Sequence, residues 1–245
     1  SLSVSGQETK ITSYNIWDGF DKDSLRYERF VEWAKENEAD ILVLTELVGF
    51  KAHDLEILGN LCGYMHTALQ KEDGYPLGVM SKTPIEAREI LVSDVDDPTD
   101  YHTRRVAVAE TTVDGREVAV ASIDLSWWDK GFQEEWARIE ERFQSIGKPL
   151  ILAGDFNNPA GREGYQTILA SPLKLQDSFQ VAQKTNGSYT VGPGIDGWKG
   201  NEEPLRIDYV FASQEWAVNR LSVIFDGNNQ SLVSDHYGLE AGPYI

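Results

Sequence analysis

Several apolar runs in this chain end in a carboxylate, an amide or an imidazole. "SYNIWDG" carries Asn15, "LVLTEL" carries Glu46, and "LILAGDFNN" carries Asp155 and Asn157. "LRIDYVFAS" carries Asp208, and "VSDHYG" carries Asp235 and His236. A charge inside or directly after such a run is costly to bury unless it is paired or bound to a cation. Carboxylates and amide oxygens are hard ligands that suit Mg²⁺, with Mn²⁺ or Ca²⁺ as alternatives. With four histidines in the whole chain, a histidine-built zinc site is disfavoured. An acidic cluster holding a cation beside one histidine fits phosphate-ester hydrolysis. The cation offsets charge at phosphorus, a carboxylate orients or activates water, and a His–Asp pair donates to phosphoryl oxygens or shuttles a proton.

Taken singly, each residue has an ordinary reading. Asp155 could cap a turn, Asn15 could end a strand, and Glu46 could be a solvated helix-start glutamate. Asp208, inside an apolar strand, could form a structural salt bridge, and Asp235-His236 could be an exposed pair. The recurrence of one pattern in so many segments favours a shared role.

The elements that must position these residues alternate between strands and helices. Periodicity predicts strands over Lys10–Ile16, Ile41–Leu44 and Gly78–Ser81, and a helix over Ser24–Asn37. Arg105–Val113 and Glu117–Leu125 read as a hairpin around Asp114-Gly115. Helices over Gln133–Ile146 and Gly164–Ala170 flank a strand over Pro149–Ala153, and further strands are expected over Leu205–Ala212, Leu221–Phe225 and Ser234–Ala241. Apolar strands interspersed with helices imply two mixed sheets packed face to face with helices outside.

The chain has 245 residues, enough to bury a core without staples, and one cysteine, Cys62, which excludes an internal disulfide framework. Net charge is −18, from 22 Lys+Arg against 40 Asp+Glu. Such a surface repels a polyanion, so nucleic acid is disfavoured as a partner and a small phosphorylated molecule is expected. No apolar stretch reaches the roughly 20 residues needed to span a bilayer. Residues 1–9 read as an extension, either an expression remnant or, through Ser3-Val4-Ser5-Gly6, the end of a secretory signal. The second reading slightly favours an extracytoplasmic location. Residues 10–245 read as one domain, expected to be monomeric.

The order of the motifs resembles the endonuclease/exonuclease/phosphatase superfamily, whose motifs run N, E, GDFN, D and SDH. Here they read "SYNIWDG", "VLTEL", "GDFN", "RIDYVF" and "SDH", between about Ile11 and Leu239. The resemblance implies a four-layered α/β sandwich with the site at one end of two packed sheets. It implies Asn15, Glu46 and Asp235 at the metal, Asp155 orienting the attacking water, and Asn157 on the phosphoryl group. His236, aligned by Asp208, would stabilise developing charge or act as base.

"LSWWDKG", "GDFNNPAGREGY", "IDGWKGN" and "VIFDGNN…VSDHYG" are similar to the branch holding bacterial sugar-phosphate phosphatases and sphingomyelinase-like phosphodiesterases. Trp127, Trp128 and Trp198 would suit a sugar face or an apolar group, although tryptophans also serve as core. Arg104 and Arg105 precede a strand and could reach a phosphate, with Arg105 taken as the binding residue. Where that branch reads His-Leu, this chain reads "SIDLSWW", with Asp124 at the histidine position. An aspartate there would repel phosphate unless protonated or bound to a second cation. A natural variant, an inactivated copy and a deliberate substitution all stay open. The leading expectation is a Mg²⁺-dependent phosphoesterase for a small organic phosphate; the alternatives are a nuclease and a catalytically impaired binding homologue.

Overall fold

The computed structural model describes residues 8–93, 104–194, 198, 200–228 and 230–245. The proposed secretory signal end and most of "IDGWKGN" lie outside the described residues. Chain order runs through β1 (Thr9–Asn15), β2 (Ile41–Thr45), β3 (His66–Gln70), β4 (Leu77–Ser81) and β5 (Ile85–Leu91). It continues through β6 (Arg105–Val113), β7 (Arg116–Asp124), β8 (Leu150–Asp155), β9 (Leu175–Asp177) and β10 (Lys184–Asn186). The last three strands are β11 (Asp208–Ser213), β12 (Val218–Ile224) and β13 (Gly238–Tyr244).

These strands form a seven-stranded sheet, ordered β10-β12-β13-β1-β2-β4-β3, and a six-stranded sheet, ordered β5-β6-β7-β8-β11-β9. Both are mixed. β1 and β2 pair in parallel near the middle of one sheet, and β7 and β8 do so in the other. The helices Ser24–Glu36 and Ala52–Cys62 cover the first sheet, and Phe132–Phe143 and Glu163–Leu169 the second. The result is the four-layered α/β sandwich expected from the sequence.

Strand alternation explains how fully apolar runs serve two cores at once. Ile41 and Val43 of β2, and Ile151 and Ala153 of β8, point between the sheets. Leu42 and Leu44, and Leu150 and Leu152, point outward onto helices. The same parity governs the polar residues at the strand ends. Asn15 shares the phase of Ile11, Asp124 that of Val120, Asp155 that of Ala153, and Asp208 that of Val210. All four therefore belong to the inner faces, at the end of the sandwich where the apolar core stops.

Some boundaries differ from expectation. β13 begins at Gly238, so Asp235-His236 sits in the preceding turn. Ser234 makes that turn, its Oγ donating to the Asn15 carbonyl at 2.5 Å and accepting the His236 N–H at 3.1 Å. The helix Ala52–Cys62 and strands β3 and β5 were not anticipated. The helix was nonetheless legible, since Leu55, Leu58 and Cys62 are buried at helical spacing. Strand β5 mixes charges into an edge position, which hides its period.

Candidate functional site

The C-terminal ends of the central parallel strands supply Asn15, Asp124 and Asp155, and Glu46 follows β2 directly. Two antiparallel strands enter the sheets at the same end, bringing Asp208 on β11 and Asp235-His236 just before β13. Asp155 is the Cα partner of Asp124 on one side and of Asp208 on the other. Three buried aspartates thus stand abreast on neighbouring strands.

Asn15 links the two sheets. Its Nδ2 donates to Glu46 Oε2 at 2.5 Å and to Asp155 Oδ2 at 2.9 Å. Its Oδ1 accepts the Trp17 N–H at 3.0 Å, which fixes which end of the amide faces the carboxylates. Asn15 was expected at the metal. It lies in the cluster but presents its donor, because the following backbone claims the oxygen. That backbone, Trp17–Lys22, is a turn with left-handed dihedrals. Gly19 is required there: at φ +63° its position would drive a Cβ to 2.2 Å from the Val48 carbonyl.

His236 is buried, and its Nδ1 lies 2.8 Å from Asp208 Oδ2. Its Nε2 faces Asn15 Nδ2 at 3.3 Å, Asp155 Oδ2 at 3.6 Å and Asp235 Oδ1 at 3.9 Å. Burial alone would push this imidazole down, but Asp208, Asp155 and Asp235 raise it well above the ordinary histidine range. Burial pushes Glu46 up, helped by Asp124, and pushes Asp155 well up, helped by Asp208.

One ligand atom each from Glu46, Asp155 and His236 lies within 4.8 Å of the others, so the residues fit a bound cation. Glu46 and Asp155 offer such a cation hard carboxylate oxygens, and Asp235 adds a further carboxylate on the same side of His236. Among the described residues, the carboxylates of Glu46, Asp124, Asp155, Asp208 and Asp235 meet here around the cations of Arg104 and His236. A divalent cation would offset the excess.

A family model described as the endonuclease/exonuclease/phosphatase family matches residues 12–236. The chain belongs to this family. Members are hydrolases acting on phosphate esters. No curated protein sequence matches this family member. Among solved structures, a family protein from Leptotrichia buccalis C-1013-b superposes with a TM-score of 0.79 at 21% identity, covering 97% of this chain and 99% of that one. The mannosyl-6-phosphatase of Bacteroides thetaiotaomicron VPI-5482 gives 0.73 at 18% identity, covering 97% and 99%. The beta toxin of Staphylococcus aureus gives 0.72 at 16% identity, covering 96% and 99%. At these identities the likeness is one of fold.

The loop after β8 in this family member carries two asparagines, both tied to backbone carbonyls. Asn157, at φ +50°, donates from Nδ2 to the Leu125 carbonyl at 2.7 Å, and its backbone N–H donates to Asp155 Oδ1 at 3.0 Å. Asn158 is buried and donates to the carbonyls of Ser126 and Phe156, a structural role. Trp198 packs edge-on against His236 at 5.8 Å, and Trp127 lies 6.3 Å from Trp198. Trp128 instead packs on Phe132 in the outer core.

The two arginines part company. Arg104 Nη1 lies 3.1 Å from Asp124 Oδ1, whereas Arg105, the residue expected to bind substrate, pairs with Glu89 on β5. Extending the β6–β7 register would set Arg105 opposite Asp124, but that ladder begins only at Ala107↔Ser122. The β5–β6 ladder continues to Leu91↔Arg105, so Arg105 follows the edge strand. Asp124 therefore has a protein cation beside it, an arrangement not foreseen from sequence.

Glu135 was also missed. It is buried and accepts from both the N–H and the Oγ of Ser126 at 2.8 Å, anchoring the segment that leads into Trp127. Its signal was present, because Glu135 interrupts the buried stripe of Phe132, Trp136, Ile139 and Phe143. A groove of about 630 Å³ lined by Trp33, Arg220 and Glu240 holds none of the residues above, so concavity alone is a poor guide to the chemistry here.

Proposed function

We propose that this chain is a divalent-metal-dependent phosphoesterase acting on a small organic phosphate, with sugar phosphates the leading substrate class. The observation that carries the reading is the convergence of Glu46, Asp155 and His236 at one end of the sandwich, tied together by Asn15 and Asp208.

Glu46 would hold Mg²⁺ or Mn²⁺, with Asp155 and Asp235 beside it, and the ion would supply charge neutralisation at phosphorus. Asn15 fixes the two carboxylates relative to each other. Asp155 orients the attacking water, and burial, helped by Asp208, raises its carboxyl and makes it the more basic partner for the water's proton. His236, held by Asp208 and kept protonated, donates to the phosphoryl oxygen that gains charge. Asn157, with one amide hydrogen on Leu125, has a second to offer the phosphoryl group.

Trp127 and Trp198 form a half-buried aromatic wall beside His236. Among the described residues, the buried Trp198 Nε1 has no hydrogen-bond partner. An apolar ring face beside a spare donor suits a sugar, and the mannosyl-6-phosphatase with this fold supports that class. The net charge of −18 favours a small substrate over a polynucleotide.

The test is a panel of sugar phosphates, phosphodiesters and plasmid DNA, assayed with Mg²⁺, with Mn²⁺ and with EDTA. Metal-dependent phosphate release from a sugar phosphate is the expected result. No metal-dependent release from any ester would refute the phosphoesterase reading.

A further inference from the structure

Arg104 is held from both ends. Its carbonyl accepts the N–H groups of Val92 and Ser93 at 3.0 and 3.3 Å, which fixes the backbone just before β6. Its side chain, only 12% exposed, crosses to the end of β7 and meets Asp124. The guanidinium also lies 5.3 Å from the centre of the Tyr75 ring. Asp124 in turn sits beside Asp155 in register, one strand from the cluster that fits a cation.

Two features of this pair exceed what charge neutralisation requires. A guanidinium carries five N–H donors in a rigid fork, and the ion pair with Asp124 is made at Nη1. Among the described residues, the buried Arg104 Nε has no hydrogen-bond partner. A buried donor left unpaired is costly, and an oxyanion placed beside the fork would satisfy it. The pair also stands at the end of the row Asp124, Asp155 and Asp208 away from Asp208 and its partner His236, so Arg104 offers an incoming phosphate a protein cation at that end as well.

We propose that Arg104 contacts the phosphoryl group of the substrate and that Asp124 is its positioning residue, the two forming a preset phosphate clamp. This rests on the phosphoesterase reading, although phosphate binding can be measured without turnover. Asp124 then needs neither a proton nor a second metal to sit beside a phosphate.

The test compares the full chain with Arg104→Gln, Arg104→Lys, Asp124→Asn and the double variant Arg104→Gln/Asp124→Asn. Calorimetry with Mn²⁺ present measures the affinity for inorganic phosphate, and electron paramagnetic resonance measures Mn²⁺ affinity without phosphate. Hydrolysis of p-nitrophenyl phosphate separates KM from kcat. Arg104→Gln is expected to weaken phosphate binding at least tenfold with Mn²⁺ affinity undiminished. Asp124→Asn should weaken phosphate by a similar factor while Mn²⁺ affinity stays within threefold, and the double variant should be no worse than Arg104→Gln.

Arg104→Lys keeps the charge but not the fork, and it serves if the glutamine variant does not fold; a phosphate affinity at least threefold weaker is expected. Wild-type phosphate affinity in the arginine variants would overturn the clamp. So would a tenfold loss of Mn²⁺ affinity in Asp124→Asn, which would make Asp124 a metal ligand. Recovery of wild-type phosphate affinity in the double variant would reduce the pair to mutual neutralisation. If the wild-type chain binds phosphate but hydrolyses no ester, the phosphoesterase reading fails while these binding comparisons still decide the clamp.

Discussion

The Nδ2 of Asn15 lies 2.9 Å from the Oδ2 of Asp155, joining the ends of the two sheets across 140 residues of chain. The same nitrogen donates to Glu46, so one amide sets the spacing of two carboxylates contributed by different sheets. Asn15→Ala removes that spacer. We expect kcat to fall about 100-fold, the scale of a misplacement of roughly 1 Å, with the circular dichroism spectrum preserved. An unchanged rate of phosphate release would refute the role.

Asp208 should set the pH range over which the proposed His236 role persists. Burial opposes the charged imidazole, and Asp208 is the first of the carboxylates that overcome it. A reaction that needs protonated His236 therefore persists above the ordinary histidine range and declines as pH rises through the raised value. Asp208→Asn should lower the rate and move that decline to lower pH. A pH profile of kcat/KM for both proteins checks this, and an unmoved basic limb would count against it.

Stability should also depend on pH, with a definite sign. Burial is the main cause raising the carboxyls of Glu46, Asp124 and Asp155. A raised carboxyl contributes stability below its ordinary value of about 4 and loses it as pH rises through the folded-state value. His236, also raised, has the same sign over a window that starts near about 6.5. The metal-free protein should thus melt at lower temperature as pH rises. Mn²⁺ needs deprotonated ligands, so its stabilising effect should grow over the same window, to about 2.7 kcal/mol at 100 times its Kd. Calorimetry at several pH values with and without Mn²⁺ measures both trends, and Glu46→Gln/Asp155→Asn should flatten them.

Gly154, the residue before Asp155, holds two strands close. Its φ is +142°, and an added Cβ would lie 1.9 Å from the Ile123 carbonyl. Gly154→Ala should separate β7 from β8 just where Asp124 and Asp155 stand abreast, destabilising the protein by at least about 2 kcal/mol. Urea denaturation would show the shift, and a midpoint equal to wild type would contradict the close approach.

The aromatic wall predicts selectivity rather than general activity. Trp198→Ala should raise KM for a hexose phosphate by up to about tenfold, the upper range for one aromatic contact, and change KM for glycerol phosphate much less. Equal changes for both substrates would remove the wall from recognition.

The architecture was largely legible from sequence, as were Asn15, Glu46, Asp155, Asp208 and His236 as candidates. A polar residue directly after an apolar run is conspicuous, and strand periodicity assigns it to a face. The hairpin at Asp114-Gly115 was equally plain, and Val113↔Arg116 closes it in the structure. Glu135 shows a signal present but unused, a carboxylate inside an apolar helical stripe.

The amino-acid sequence by itself determined which residue types end the central strands, because strand parity and the break from apolar to polar are local properties of the chain. Only the tertiary structure decided their partners. It set the Asn15 donor against two carboxylates because the Trp17 N–H took the oxygen. It gave Asp124 to Arg104 because the β6–β7 ladder ends before Arg105 while the β5–β6 ladder runs on to it. Partner choice follows from where hydrogen-bonded ladders stop, and that depends on how whole strands dock.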